Sequence, residues 1–382
     1  MKQMELYIHI PFCARKCRYC DFLSFATDDS YKDLYVRQLL EEIKVQSEYY
    51  NDSTVSSIYI GGGTPSILKS VDIVNIMSEV YSCWKVEGTA EISIECNPGT
   101  LSPEKLLNYR NAGINRISMG LQSSLQKDLE MLGRIHTYED FLNSYELVRN
   151  AGFNNVNVDL MSALPGQSLN DWVKCLKDVA MLKPEHISAY SLQIEEGTEF
   201  YELYSTPAGK KLLPDEELDR DMYHETSRIL EQYGYHRYEI SNYAKEGYEC
   251  RHNIGYWTGA EYLGMGLGAA SYCMERRFHV ERDLLKYIHM QLSRDINPLY
   301  QDVEQLRLED RLSEFMFLGL RMTAGVSSAE YYERFGRNMQ NDFDYAISRN
   351  IHKGLLEYDA PMLRLTEQGL DVANMVMSDF VI

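Results

Sequence analysis

Proline is sparse, at 10 in 382 residues, and no low-complexity run occurs, which excludes a disordered or fibrous chain. No apolar run approaches the roughly 18 residues that cross a bilayer. Met1 to His9 lacks the charged-then-apolar pattern of a signal peptide, so a cytoplasmic protein is expected. Positive charge is also short: 38 Lys and Arg stand against 57 Asp and Glu. The resulting net charge of -19 repels a phosphate backbone and argues against nonspecific nucleic-acid binding. Eight cysteines are far too few for a disulfide scaffold of this length, and a reducing compartment keeps them as thiols.

What remains, 45% hydrophobic and 25% charged residues, is the composition of a large folded protein of two or three domains, or of one large α/β domain with an appendage. Short β-branched or aromatic runs at residues 6–10, 55–60, 91–96, 116–121, 155–160 and 186–192 predict strands. Between them apolar residues recur at helical spacing, as in Leu34, Leu39, Leu40 and Ile43, and in Ile73, Val74, Met77 and Val80, the latter with Ser66 and Ser70 as caps. Six such units predict an α/β fold built on a partial (β/α)6 barrel, with an open doubly wound sheet as the alternative. Residues 1–200 are assigned to the barrel, 201–300 to an extension and linker, and 301–382 to a C-terminal α+β domain like a winged helix. Residues 305–382 hold 8 Lys and Arg against 12 Asp and Glu, which disfavours DNA as that domain's ligand.

In both architectures chemistry collects at the carboxyl ends of strands. The unusual residues fall there. Cys13, Cys17 and Cys20 follow the first strand in a Cx3CxxC spacing, and three thiolates so placed can hold three irons of a [4Fe–4S] cluster, leaving the fourth iron open. Zinc is the competing metal, with His9 as the fourth ligand. Gly61-Gly62-Gly63-Thr64-Pro65-Ser66 follows the second strand and exposes backbone to a ligand, although alone it also reads as a tight turn.

The pairing of Cx3CxxC with a GGxP loop resembles the radical S-adenosylmethionine (SAM) enzymes. Tyr7 to Cys13, Glu95-Cys96-Asn97-Pro98 and Gly120-Leu121-Gln122-Ser123 narrow the resemblance to the oxygen-independent coproporphyrinogen III oxidase family, which contains a dehydrogenase branch, HemN, and a haem chaperone branch, HemW. The resemblance implies that Cys13, Cys17 and Cys20 carry the cluster. It also implies a SAM pocket from Tyr7, Tyr19, Gly62, Gly63, Thr64, Glu95, Gln122, Arg134 and Asp159, with Gln193 and Ala270 as weaker transfers. An arginine fork suits a carboxylate, and Asp or Gln suits a diol. Glu95 and Asp159 also read as interior charges paired with Arg116 or Arg134, and Tyr7 as core packing.

The family's dehydrogenase branch has a further cysteine two residues after the third, whereas here Cys20 is followed by Asp21 and Phe22, and the chain starts almost at its first strand. Both features resemble the chaperone branch. So does His252-Asn253-Ile254-Gly255-Tyr256-Trp257, the HNxxYW motif that the resemblance associates with haem through His252, Asn253, Tyr256 and Trp257. A neutral imidazole can ligate iron, yet an isolated His is more often an ordinary hydrogen-bonded residue, with His9, His236 or a lone cysteine as the substitute ligand. The expectation is a haem chaperone that binds haem, a [4Fe–4S] cluster and SAM. Its expected partners are a haem-receiving respiratory protein, membrane-associated or not, and an electron donor, while homodimerisation is left open. The alternative is a coproporphyrinogen III dehydrogenase acting by radical oxidative decarboxylation.

Overall fold

The computed structural model describes residues 2–50, 52–292 and 296–382. Six strands, β1 (Lys2–Ile10), β2 (Ser53–Gly62), β3 (Lys85–Cys96), β4 (Arg116–Gln122), β5 (Val156–Ser162) and β6 (His186–Ser191), pair in parallel in chain order. Helices cross between them, including α1 (Asp29–Tyr50), α2 (Ser70–Cys83), α3 (Pro103–Asn111) and, before β6, Leu169–Ala180. This is the expected α/β class with a mostly parallel sheet. One detail differs: Lys69 stands at the N-cap of α2 with no side-chain hydrogen bond, because Ser66 lies in the preceding turn Pro65–Ile67 and Ser70 is the first helical residue, its Oγ accepting from Asn108 Nδ2 at 2.9 Å.

The strands alternate. One face carries Leu6, Ile8 and Ile10, Ile58 and Ile60, Ile92 and Ile94, and Ile117 and Met119, all buried in the main core with the helices. The other face is polar, and its residues stand in register: Tyr7 beside Tyr59, Tyr59 beside Ser93, Glu95 beside Ser118, Ser118 beside Asn157, and Asp159 beside Ser188. A polar inner face leads directly to the ends of the strands where the cysteine loop and glycine loop emerge.

The sheet is larger than six strands. Among the described residues it has twelve, because β7 (His236–Arg237) and β8 (Asn242–Ala244) extend it beyond β6. At the other edge β9 (Tyr262–Met265) runs parallel to β1, and β10 (Ala270–Cys273), β11 (Arg276–Val280) and β12 (Tyr300–Gln305) continue it antiparallel. The glycine-rich stretch 255–268 holds the end of the helix Arg251–Thr258 and a strand. A Cβ at Gly255 would stand 2.1 Å from the Glu5 carboxylate, so a larger residue there would displace that side chain.

A second hydrophobic cluster gathers Leu312, Met316, Tyr331, Phe343, Leu363, Val376 and Phe380 around the three-stranded sheet β13 (Val326–Ser327), β14 (Leu356–Asp359) and β15 (Met362–Leu365). Its helix Leu308–Gly319 packs on the helix Arg251–Thr258, and Thr323 N donates to Tyr238 O at 3.0 Å. Among the described residues no helix is long and apolar enough to cross a membrane.

Candidate functional site

The cysteine loop is pinned on both sides. Cys13 N donates to Phe25 O at 3.0 Å, Phe25 N to Pro11 O at 2.8 Å, and Arg18 N to Leu132 O at 3.1 Å. Cys13, Cys17 and Cys20 are half-buried and line one cavity of about 390 Å³ at the carboxyl ends of the strands. Thr64 Oγ1 donates to Cys13 Sγ and Arg134 Nη1 to Cys17 Sγ, each at 3.5 Å. Burial pushes the Cys20 thiol up to about 11.

The glycine loop is docked on the cysteine loop. Gly63 N donates to Ile10 O at 2.9 Å and Thr64 N to Phe12 O at 2.7 Å. Gly62 has φ +113°, and a Cβ there would lie 2.5 Å from the His9 ring, so only glycine fits. Its N–H donates to Glu95 Oε2 at 3.0 Å, while Tyr59 OH donates to Glu95 Oε1 at 3.0 Å. Burial, with the Asp159 charge second, raises the Glu95 carboxyl to about 7.

Arg134 is oriented by Gly120 O at 2.6 Å and Asn97 Oδ1 at 2.9 Å, and Asn97 Nδ2 donates to Thr64 Oγ1 at 2.9 Å. Gln122 adopts φ +76°, in the left-handed region that a non-glycine residue rarely holds, and its Oε1 accepts from Tyr190 OH at 2.9 Å. Asp159 accepts from Asn157 Nδ2 at 2.7 Å and Ser118 Oγ at 3.4 Å, and burial raises its pKa. Glu95 and Asp159 thus take their hydrogen bonds from tyrosine, backbone, asparagine and serine, and not from Arg116 or Arg134 as the paired-charge alternative expected.

One cavity therefore gathers Tyr19, Gly62, Gly63, Thr64, Glu95, Gln122, Arg134, Asp159 and Gln193 with the three cysteines. Three thiols beside an open volume have the donor chemistry for an iron-sulfur cluster. The zinc alternative loses its fourth ligand, because His9 is buried with Nδ1 on Tyr7 OH at 3.0 Å and Nε2 on Leu23 O at 2.9 Å. Tyr59, Asn97 and Tyr190 also shape the cavity, and sequence reasoning gave them no role. The inward alternation of β2, which places Tyr59 two residues before Gly61, was the available signal for the first.

Two residues assigned to the SAM pocket lie elsewhere. Tyr7 and Ala270 line a second cavity, of about 320 Å³, together with Tyr256, Trp257, Tyr262 and Phe315. Tyr7 faces it because it sits on the β1 side of Tyr59, with the two rings stacked at 6.4 Å, and Ala270 because β10 borders β9 on the far edge of the sheet. His252 differs from its expected role as well. It is 1% exposed, its Nδ1 is bonded to Ser57 Oγ at 2.8 Å and its Nε2 to Tyr256 OH at 3.0 Å. Burial, reinforced by the Arg116 charge, lowers its pKa to about 3. The imidazole is an internal hydrogen-bonding hub with neither nitrogen turned to a cavity. Asn253 is half-buried on the first turn of its helix and borders neither cavity, so the motif contributes Tyr256 and Trp257 alone to the second one.

Residues 7–179 match the radical SAM superfamily model and residues 306–372 the HemN C-terminal domain. The solved coproporphyrinogen III oxidase HemN of Escherichia coli, 23% identical, superposes with a TM-score of 0.84 over 100% of this chain and 90% of its own, which establishes the shared fold. The heme chaperone HemW of Lactococcus lactis is 32% identical over 100% of this chain and 98% of its own length. That of Bacillus subtilis is 36% identical, covering 98% of each chain. With identity of this order running through both the barrel and the C-terminal segment, the chain belongs to the HemW heme chaperone family of the radical SAM superfamily.

Proposed function

We propose that this chain binds haem, carries a [4Fe–4S] cluster and SAM in the first cavity, and delivers haem to a haem-dependent respiratory protein. The observation that carries this is the gathering of three cysteines, the glycine loop, Arg134 and Asp159 around one cavity in a chain that matches heme chaperones along its whole length. Cys13, Cys17 and Cys20 would hold three irons, and a bound cluster supplies one-electron chemistry at the open fourth. The chain's own groups then divide the work of holding SAM. Arg134, fixed by Asn97 and Gly120, offers a fork to its carboxylate. Asp159 and Gln122 suit the ribose hydroxyls. Glu95, near half-protonated at neutral pH, can accept from an amino group or donate a proton locally. Tyr19, Gly62, Gly63, Thr64 and Gln193 complete the walls.

Phe22 favours the chaperone over the dehydrogenase. It stands where the dehydrogenase pattern has its further cysteine, is 63% exposed, and lines this cavity, so no additional thiol is offered at that position. The function also calls for an electron donor to the cluster, a haem-receiving partner, and operation in the cytoplasm. The test is anaerobic. Cluster-loaded protein is expected to take up one equivalent of haem, pass it to an apo-haem acceptor, and make no protoporphyrinogen from coproporphyrinogen III with SAM and a reductant. Decarboxylation of coproporphyrinogen, or failure to take up haem, overturns the proposal.

A further inference from the structure

We infer that the second cavity is a receptor for a planar aromatic dicarboxylate, the class to which haem and iron-free porphyrins belong, and that it holds this ligand by arginines and aromatic walls and not by His252. This rests on the haem-binding part of the function proposed above and adds where the ligand sits and which groups recognise it.

The first support is charge. In a chain of net charge -19, the charged lining of this cavity is Arg277, Arg311 and Arg334 against Glu314, and with Arg311 also paired to Glu275 outside the lining one guanidinium remains in excess. A local excess of guanidinium in an acidic protein selects an anion. The second support is unused hydrogen-bonding capacity. Arg277 Nη2 reaches Glu314 Oε1 at 3.1 Å and Arg311 pairs with Glu275, yet the Nε of each arginine is buried with no hydrogen-bond partner among the described residues. Trp257 Nε1 is in the same condition. Unmet buried donors are costly, and a carboxylate is the acceptor that arginine forks match best.

The third support is shape. Tyr256 meets Tyr262 edge to face with centroids 4.6 Å apart, and Trp257 carries Arg321 over its ring at 4.3 Å. Phe315, from the C-terminal hydrophobic cluster, closes the opposite side. Such walls accept the face of a flat apolar ring while the arginines sit at its acidic edge. At about 320 Å³ the cavity is at the lower end of small-molecule sites and seats one edge of a porphyrin, the rest of the ring lying toward solvent. The walls come from both parts of the chain, Tyr256, Tyr262 and Arg277 from the sheet side and Arg311, Phe315 and Arg334 from the C-terminal side, so a ligand here bridges them.

His252 lies behind Tyr256, and an iron bond to it would require breaking both of its ring contacts. Recognition by ring and carboxylates needs no iron. Haem, iron-free protoporphyrin IX and protoporphyrin dimethyl ester are therefore titrated into the full chain and followed by tryptophan fluorescence quenching. The free acid is expected to bind within about threefold of haem and the ester about tenfold or more weaker. Arg311→Gln and Arg277→Gln should each weaken the acid about tenfold and leave the ester unchanged, which also reports that the variant is folded, and Arg311→Lys should recover part of the loss. Equal binding of acid and ester, or haem affinity unaltered by both arginine substitutions, overturns the inference while the haem chaperone function stands. Failure of the unmodified chain to bind haem defeats both.

Discussion

Arg134 hydrogen-bonds Cys17 and Thr64 hydrogen-bonds Cys13, so each of these two sulfurs is held by a neighbouring side chain. Replacing Cys17 by Ala removes a proposed iron ligand without enlarging a packed core. Reconstituted Cys17→Ala is expected to lose most of the about four irons per chain and the broad absorption of a [4Fe–4S] cluster; iron content equal to the unmodified protein would exclude Cys17 as a ligand. A second residue of consequence lies at the far end of the inner face. Burial raises the Glu5 carboxyl to about 8, with the Glu91 charge adding to the rise, and its Oε2 is 3.7 Å from His252 Nδ1. At neutral pH this is a contact between a protonated acid and a neutral imidazole. A folded-state pKa above the unfolded value of 4.5 gives stability that is complete below 4.5 and is lost as the pH climbs through 8. Glu5→Gln should therefore gain on the order of 2 kcal/mol over the unmodified chain between pH 6 and pH 9, by urea unfolding at each pH. A difference independent of pH would mean that Glu5 is ionised throughout.

The helix Arg251–Thr258 shows what an element owes to a residue far away in sequence. Its first turn has no side-chain cap of its own. Glu91, from β3, takes that place: Arg251 N donates to Oε2 at 3.3 Å, His252 N to Oε1 at 3.3 Å, and the Cys250 thiol to Oε1 at 3.4 Å. A carboxylate at a helix N-terminus also complements the helix dipole. Glu91→Ala is expected to cost about 2 kcal/mol in denaturant unfolding, and to weaken porphyrin binding, since this helix carries Tyr256 and Trp257 into the second cavity. Loss of stability with porphyrin affinity intact would show that the helix wall does not depend on this cap. The same helix marks where the sequence was legible. Strands β1 to β6 announce themselves by apolar alternation, and Cx3CxxC and GGxP are short contiguous signals, so the first cavity could be assembled from them. The edge strands β9 to β12 were hidden. β12 reads Tyr-Gln-Asp-Val-Glu-Gln and is largely exposed, leaving no apolar period to detect. His252 was named by its motif, but its direction is set by Ser57 from β2, 195 residues away, and no local pattern encodes that. Arg277 and Arg311 meet for the same reason: pairing of β11 into the sheet brings one, and docking of the helix Leu308–Gly319 brings the other.

Across the whole molecule the two cavities share a partition. Tyr59 lines the first, and its hydroxyl holds Glu95. On one side its ring stacks on Tyr7, at 6.4 Å and 23°, which lines the second cavity. On the other it stacks on His252, at 5.3 Å and 24°, which holds Tyr256. Interiors are packed too closely for one side of such a wall to shift alone, so a ligand that reorients Tyr256 or Tyr7 is felt at Glu95. Haem and SAM binding should then be coupled, and linkage requires the coupling to be reciprocal. Saturating haem is expected to change SAM affinity by about fivefold or more, and saturating SAM to change haem affinity by the same factor. Tyr59→Phe keeps the ring and removes the bond to Glu95, and it should reduce the factor toward one whatever it does to SAM affinity alone. The measurement is SAM titration by calorimetry with and without haem on both proteins. Identical SAM affinity in the two conditions would show that the partition is rigid and that the sites act independently. A coupling factor unchanged by Tyr59→Phe would assign transmission to the stacked rings and not to the Glu95 hydrogen bond.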